Sequence, residues 1–296
     1  MKILLSETLS YCFGVRKTLQ TIEKLLAESG GKPVFMLGEV VHNERVIRDL
    51  KARGLRLIQS LDEADPDGVV VLQSHGSPRS RYEELAGRKL KYVDATCPMV
   101  RVIHDRVREI EESGALPVII GQKGHEEVQG IEGQVKRAVV LKTEDEATPE
   151  LFAGVEHAGI VVQSTFVAEE ALRIVDRIRG IVPRVDFNNT ICQPTRTRQR
   201  EVEEHSKSAD CVIIVGSTTS ANTRHLYKIA RNINSCTYFV DKPEDVDGLP
   251  IPPDAAVFIA SGASTPEDQI IEVVRRLEER SHRTKGVTPC PMTKPS

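Results

Sequence analysis

The chain of 296 residues carries a formal net charge of −3, with 40% hydrophobic and 28% charged residues, the balance of an ordinary globular protein. A charge so near zero removes the bulk electrostatic reason to expect nucleic acid as a partner, and 4% aromatic residues without tryptophan disfavour a base-stacking surface. No apolar run approaches the length of a membrane span, and the length favours two or three domains over a single core.

In chain order, "MKILLSETLSYC" comes first, with three consecutive apolar residues. That is too short for the apolar core of a secretory signal, so a cytoplasmic location and no membrane partner are expected. A pattern then recurs in which a short apolar run gives way to a polar loop and then to helical sequence. It begins with "PVFMLGEVVHNERVIRDL" and continues through "GVVVLQSHGSPRSRYEEL", "LPVIIGQKGHEEVQGI" and "AGIVVQSTFVAEEALRIVDRI" to "CVIIVGSTTSANTRHLYKIA" and "AVFIASGASTPEDQIIEVVRRL". Runs of Val and Ile bounded by Gly, Ser or Asn predict buried parallel strands, and alternation with helices predicts an α/β fold. The loops then stand at the carboxyl ends of the strands, where ligands collect.

The repeated units group into three pairs, punctuated by Cys12, Cys97 and Cys192. The expected fold is three small α/β lobes in pseudo-threefold arrangement around a shared centre. Residues 1–96 hold the N-terminal strand and first lobe, 97–191 the second lobe, 192–281 the third, and 282–296 a flexible tail.

Cys211 opens "CVIIVG", Cys236 lies in "SCTYFV" and Cys290 in the tail. The first two are expected to be unpaired and to act as small buried hydrophobes, since a cytoplasmic protein rarely uses structural disulfides. Cys12, Cys97 and Cys192 differ, because each stands at a strand-to-helix junction, in "LSYCFGVR", "VDATCPMV" and "NNTICQPT". A helix N-terminus there favours a thiolate. No C-x-x-C pair or histidine at zinc spacing accompanies them. Three thiolates from distant segments suit a 4Fe–4S cluster, with one iron left open to bind a substrate oxygen as a Lewis acid. One rival exists. "CQPTRTR" matches the C-x5-R pattern of a cysteine-dependent phosphatase using Cys192 and Arg198, although it contains no glycine to help amides wrap an anion and leaves Cys12 and Cys97 without a role.

His42, His75 and His125 each follow an apolar run and precede helical sequence, equivalent places that a shared pocket explains. His104, His157, His205, His225 and His282 lie in charged helical or tail sequence and are expected to be solvated. The other strand-end loops add Ser164, Thr165, Ser217 to Asn222 (Ser220 among them) and Ser264. Hydroxyls, an amide and imidazoles are the donors a multiply charged oxyanion requires. Glu127, two residues after His125, is placed to act as a proton donor if burial raises its pKa, with Glu126 beside it pointing elsewhere. No Walker loop or G-x-G-x-x-G appears, so no nucleotide cofactor is expected.

"CFGV", "VHN", "SHG", "DATCP", "GHEEVQG", "QST", "NTIC", "SANT" and "SGAST" follow one another between about residues 9 and 280. In this order they resemble the IspH/LytB family of 4-hydroxy-3-methylbut-2-enyl diphosphate reductases. The resemblance implies a central 4Fe–4S cluster on Cys12, Cys97 and Cys192, and the last step of the non-mevalonate isoprenoid pathway. There the allylic alcohol diphosphate loses its hydroxyl, with two electrons and two protons, to give isopentenyl and dimethylallyl diphosphates. It implies a diphosphate pocket of His42, His75, His125, Ser220, Asn222 and Ser264. Glu127 would relay protons and Thr165 would position the substrate hydroxyl. Ferredoxin or flavodoxin would supply electrons. Departures are Ala221 within Ser220-Ala221-Asn222, Ser164 in "QST", and the absence from "LSYCFGV" of the glycine usual just before the first cysteine.

Overall fold

A computed structural model describes residues 1–285 other than Val40 and His42. The residues His42 and Cys290, and the tail from residue 286, for which expectations were given above, lie outside the described residues. The chain divides into two compact units, one built from Met1–Ser10 and the chain from Arg198 onward, the other from Tyr11–Thr197.

The N-terminal strand β1 (Lys2–Leu5) leads to Cys12 and helix α1 (Phe13–Glu28). In the larger unit follow β2 (Val34–Leu37), α2 (Glu44–Ala52), β3 (Leu55–Ile58), β4 (Val69–Leu72), α3 (Arg79–Gly87), β5 (Lys91–Asp94) and α4 (Pro98–Glu112). The same unit continues with β6 (Leu116–Ile120), α5 (Glu126–Glu132), β7 (Val139–Leu141), β8 (His157–Val162), α6 (Ala168–Arg179), β9 (Arg184–Phe187) and the start of α7 (Gln193–Ser206). The remaining elements are β10 (Cys211–Val215), α8 (Ala221–Ile233), β11 (Thr237–Val240), β12 (Ala256–Ser261) and α9 (Glu267–Lys285).

The described strands form three four-stranded sheets, ordered β3-β2-β4-β5, β7-β6-β8-β9 and β1-β12-β10-β11. Every pairing is parallel. Read from the other edge, the third sheet runs β11-β10-β12-β1, the same order as the other two. In each sheet, therefore, the edge strand β5, β9 or β1 is the one whose chain runs on to Cys97, Cys192 or Cys12. Central strands such as β10 "CVIIV" are buried along their whole length, as expected where helices cover both faces. The edge strands carry charge, as in β5 "KYVD" and β9 "RVDF", which discourages pairing with another chain.

Three expectations change here. The N-terminal strand was grouped with the first lobe, yet β1 is hydrogen-bonded to β12 with Ile3 opposite Val257. Local pattern marks a strand but does not choose its neighbour. Cys211 and Cys236, expected to be unpaired, are joined by a disulfide with Cα atoms 4.8 Å apart. The register that sets Val212 opposite Thr237 puts the preceding residues at strand-to-strand spacing. Helix α9 also continues to Lys285, past the boundary expected at 281. No described helix is long and apolar enough to cross a membrane.

Candidate active site

Cys12 is the N-cap of α1, Cys97 is the N-cap of α4 with Pro98 in its first turn, and Cys192 directly precedes α7. The Cys97 N–H donates to the Ser74 carbonyl at 3.0 Å and the Cys192 N–H to the Ser164 carbonyl at 3.1 Å. Each edge strand is thereby stitched to the loop that leaves its neighbour. All three thiols are free and half-buried. They converge. A Cβ added to Gly14, in the first turn of α1, would lie 2.7 Å from Cys97 Sγ and 3.9 Å from Cys12 Sγ, so glycine is the residue that leaves these sulfurs room.

Burial pushes the Cys97 and Cys192 thiols up from their ordinary pKa, and negative charge at Cys12 and Glu127 adds to the rise in both. Opposing this, backbone N–H groups of Met99 and Val100 favour the Cys97 thiolate, while the Thr195 hydroxyl and N–H favour that of Cys192. The helix ends act as expected from the sequence, but desolvation outweighs them. A bound cation would reverse that balance, because it neutralises thiolates that otherwise repel one another. Among the described residues no three His, Cys, Asp or Glu side chains meet closely enough to hold one metal ion.

Glu127, in the first turn of α5, is 2% exposed. The Ser164 N–H donates to its Oε1 at 2.6 Å and the Ser164 hydroxyl to its Oε2 at 2.8 Å. Burial raises its carboxyl pKa; the two Ser164 bonds and the nearby His75 work against that rise. His125 caps α5, its Nδ1 accepting from the Glu127 N–H at 3.1 Å, and its ring meets the edge of His75 with centroids 5.7 Å apart. Thr165 Oγ1 accepts from Gln163 Nε2 at 3.3 Å, while Gln163 Oε1 accepts from the Gln122 N–H. The structure thus brings Cys12, Cys97, Cys192, Glu127, Ser164, His75 and His125 into one connected neighbourhood, with Thr165 in the adjoining turn.

Ser220, Asn222 and Ser264 belong to the other unit, in the turns that follow the adjacent strands β10 and β12. Ser220 caps α8, its Oγ accepting from the Thr223 N–H at 3.4 Å. Asn222 is 5% exposed and Ser264 8%. Neither the Nδ2 and Oδ1 of Asn222 nor the Oγ of Ser264 has a hydrogen-bond partner among the described residues. Buried polar atoms without partners are rare in folded proteins.

Three sequence expectations are corrected. Residues 193–198 are already helical, so no loop curls amides around an anion beside Cys192, and Arg198 instead donates from Nη2 to the Ser10 carbonyl at 2.8 Å. The C-x5-R phosphatase geometry is absent. Glu126 was expected to point elsewhere, yet its Oε2 lies 3.2 Å from His75 Nδ1; a carboxylate next to another on a helix start gave no signal that a loop from a different sheet would meet it. His104, expected to be solvated, is 6% exposed, because it falls on the face of α4 shared with Val100, Ile103 and Val107.

Parallel α/β sheets bring three free thiols and a buried carboxylic acid to one polar neighbourhood. The family described as LytB protein matches residues 3–278. A 4-hydroxy-3-methylbut-2-enyl diphosphate reductase of Aquifex aeolicus is 34% identical over 281 residues, covering 94% of this chain and 96% of the relative. Reductase 2 of that name from Burkholderia mallei is 33% identical over 282 residues, covering 94% and 86%. A solved structure of (E)-4-hydroxy-3-methyl-but-2-enyl diphosphate reductase, described as the terminal enzyme of the non-mevalonate pathway, aligns with a TM-score of 0.70 at 34% identity, over 94% of this chain and 99% of that one. A Plasmodium falciparum structure at 23% identity, with a TM-score of 0.85 over 93% and 87%, shares the fold. This chain belongs to the LytB family.

Proposed function

We propose that the chain reduces (E)-4-hydroxy-3-methylbut-2-enyl diphosphate to isopentenyl and dimethylallyl diphosphates, as its relatives are named for doing. The observation that carries this reading is the convergence of Cys12 and Cys97 on Gly14, together with the charge coupling of Cys97 and Cys192 to Cys12 and Glu127. Cys12, Cys97 and Cys192 would hold a 4Fe–4S cluster, which when bound supplies electrons and a Lewis-acidic iron.

The chain's own residues do the rest. Glu127 holds a proton on its carboxyl at a pH where an exposed glutamate has lost it, since burial disfavours the charged form. The Ser164 hydroxyl, 2.8 Å from Oε2, fixes which way that proton points and offers a path for it toward the substrate hydroxyl. Thr165, in the next position, orients that hydroxyl. His75 and His125 donate to phosphate oxygens, and Glu126 Oε2 lies 3.2 Å from His75 Nδ1. In the other unit, Ser220, Asn222 and Ser264 are donors suited to the same chemistry. His42 is assigned to it by its place in "VHN". Electrons come from an external one-electron carrier such as ferredoxin or flavodoxin, as no flavin or nicotinamide motif is legible.

The test is anaerobic turnover of the named diphosphate with a reduced viologen dye as donor. Dye oxidation with release of the two C5 diphosphates is expected, and hydrolysis to phosphate without dye oxidation would overturn the assignment.

A further inference from the structure

We propose that His104 is a positioning residue for this reaction, a spacer that sets the separation between the loop carrying His75 and the helix carrying Glu127. The proposal deepens the reductase assignment and rests on it. His104 sits two turns into α4, the helix that Cys97 caps. Its ring is buried and its Nε2 has no partner among the described residues.

The ring's edge lies where two glycines meet. A Cβ on Gly76 would stand 2.5 Å from His104 Cε1 and 2.8 Å from Nε2; one on Gly130 would stand 3.4 Å from Nε2 and 3.2 Å from the Gly76 carbonyl carbon and oxygen. Gly76 follows His75 and has φ 82°, a conformation that suits glycine. Gly130 lies one turn after Glu127 on α5. The imidazole, the Gly76 backbone and Gly130 thus form a three-way contact with no room for a methyl group at Gly76 and little at Gly130.

Other bonds tie the same loop to the same helix, but farther along each. The Arg79 N–H donates to Gly133 O at 3.2 Å, and Gln134 Nε2 donates to Ser77 O at 2.9 Å and Gly130 O at 2.8 Å. These fix the far end of the loop to the C-terminal end of α5. At the end nearer His75 and the first turn of α5, Glu126 Oε2 lies 3.2 Å from His75 Nδ1 and the His75 and His125 rings meet edge to face, while the His104 ring is wedged against Gly76 and Gly130. Burial, reinforced by Arg108 and Arg101 and opposed by Asp105 and Asp94, holds its pKa down at about 4. A neutral ring there occupies space without adding charge beside Glu127.

Removing the ring lets loop and helix relax together and shifts His75 and Glu127 relative to each other. A misplacement of about 1 Å, remote from the reacting atoms, can cost about 100-fold in rate. The experiment compares anaerobically reconstituted wild type with His104→Ala, recording kcat, KM, iron content and amide exchange. Expected are a kcat at least about tenfold lower, unchanged iron content, and faster exchange confined to residues 74–77 and 125–130. In a Glu127→Gln background the His104→Ala loss should largely vanish, because coupled residues are not additive. A kcat and KM within about twofold of wild type, or fully additive losses, would overturn the proposal. Should the alanine variant not fold, Gly130→Ala presses a methyl on Gly76 in a helix where alanine is favoured; it should lower kcat similarly, and an unchanged kcat would overturn the spacer. Were wild type itself inactive on the diphosphate, the reductase assignment would fall. The exchange pattern would still decide the spacer.

Discussion

The polar groups around the thiols and those in the turns after β10 and β12 are organised in opposite ways. In the first region they are already paired: Glu127 with Ser164, His75 with Glu126, and His125 with the Glu127 N–H. In the second, Asn222 and Ser264 are buried with side-chain atoms that have no partner among the described residues. Pairing before ligand arrives fixes the direction of a proton. An unpaired buried polar atom costs about 1–3 kcal/mol until something satisfies it. Under the proposed function, the first region would serve the chemistry and the second the capture of substrate.

If that contrast is right, substitutions in the two regions should fail differently. The largest effect belongs to Glu127→Gln, which keeps the shape of the neutral acid but cannot give up a proton. Turnover should fall by about 10²–10⁴-fold with iron content and thermal stability retained; steady-state rates on reconstituted protein decide it, and activity near wild type would remove the acid role. Next is Asn222→Ala. Substrate affinity should weaken by about 1.5–3 kcal/mol, the worth of a hydrogen bond to a charged group, while Tm stays level or rises, since no internal bond is lost. Calorimetry and thermal melts separate the two, and a lower Tm with unchanged affinity would erase the contrast.

Ser164→Ala should behave the other way. It leaves Glu127 Oε2 unpaired and lowers stability by about 1–3 kcal/mol. The sign in pH follows from Glu127's raised pKa: the protonated acid is present below it and lost as pH rises through it, so activity falls on the alkaline side. Any stability that this group contributes has the same sense, fully present below the unfolded-state value and lost as pH rises through the folded one. Removing the Ser164 hydroxyl takes away a bond that pulls the pKa down, so the alkaline limb should move to higher pH. A pH–rate profile of the variant that coincides with wild type would contradict this.

The smallest effect concerns Ser10, which has φ 65° and is held by the Ser261 hydroxyl and Arg198. Ser10→Gly should relieve left-handed strain of about 1 kcal/mol, less what glycine adds to the freedom of the unfolded chain, and raise the denaturation midpoint slightly.

How legible all this was in the sequence depended on whether the information was local. Apolar runs such as "CVIIVG" and "LPVIIG" predicted buried parallel strands, and the strand-to-helix junctions marked Cys12, Cys97 and Cys192, because strand, loop and helix start are written in consecutive residues. Partners chosen across long stretches of chain were not legible. β1 reaches β12, Cys211 reaches Cys236 and Glu126 meets His75, each through the register of sheets that no local pattern records. His104 escaped for a subtler reason. Its neighbours Asp105 and Arg106 are charged, and only its place on the Val100–Ile103–Val107 face of α4 gives the burial away.

The central claim is that three cysteines from separate junctions hold one iron–sulfur cluster. Iron and acid-labile sulfide per chain, measured after anaerobic reconstitution of wild type and Cys97→Ala, test it most directly. About four of each is expected in wild type, with a marked loss when Cys97 is removed; a wild type that takes up no iron, or a variant that takes up as much, would contradict it.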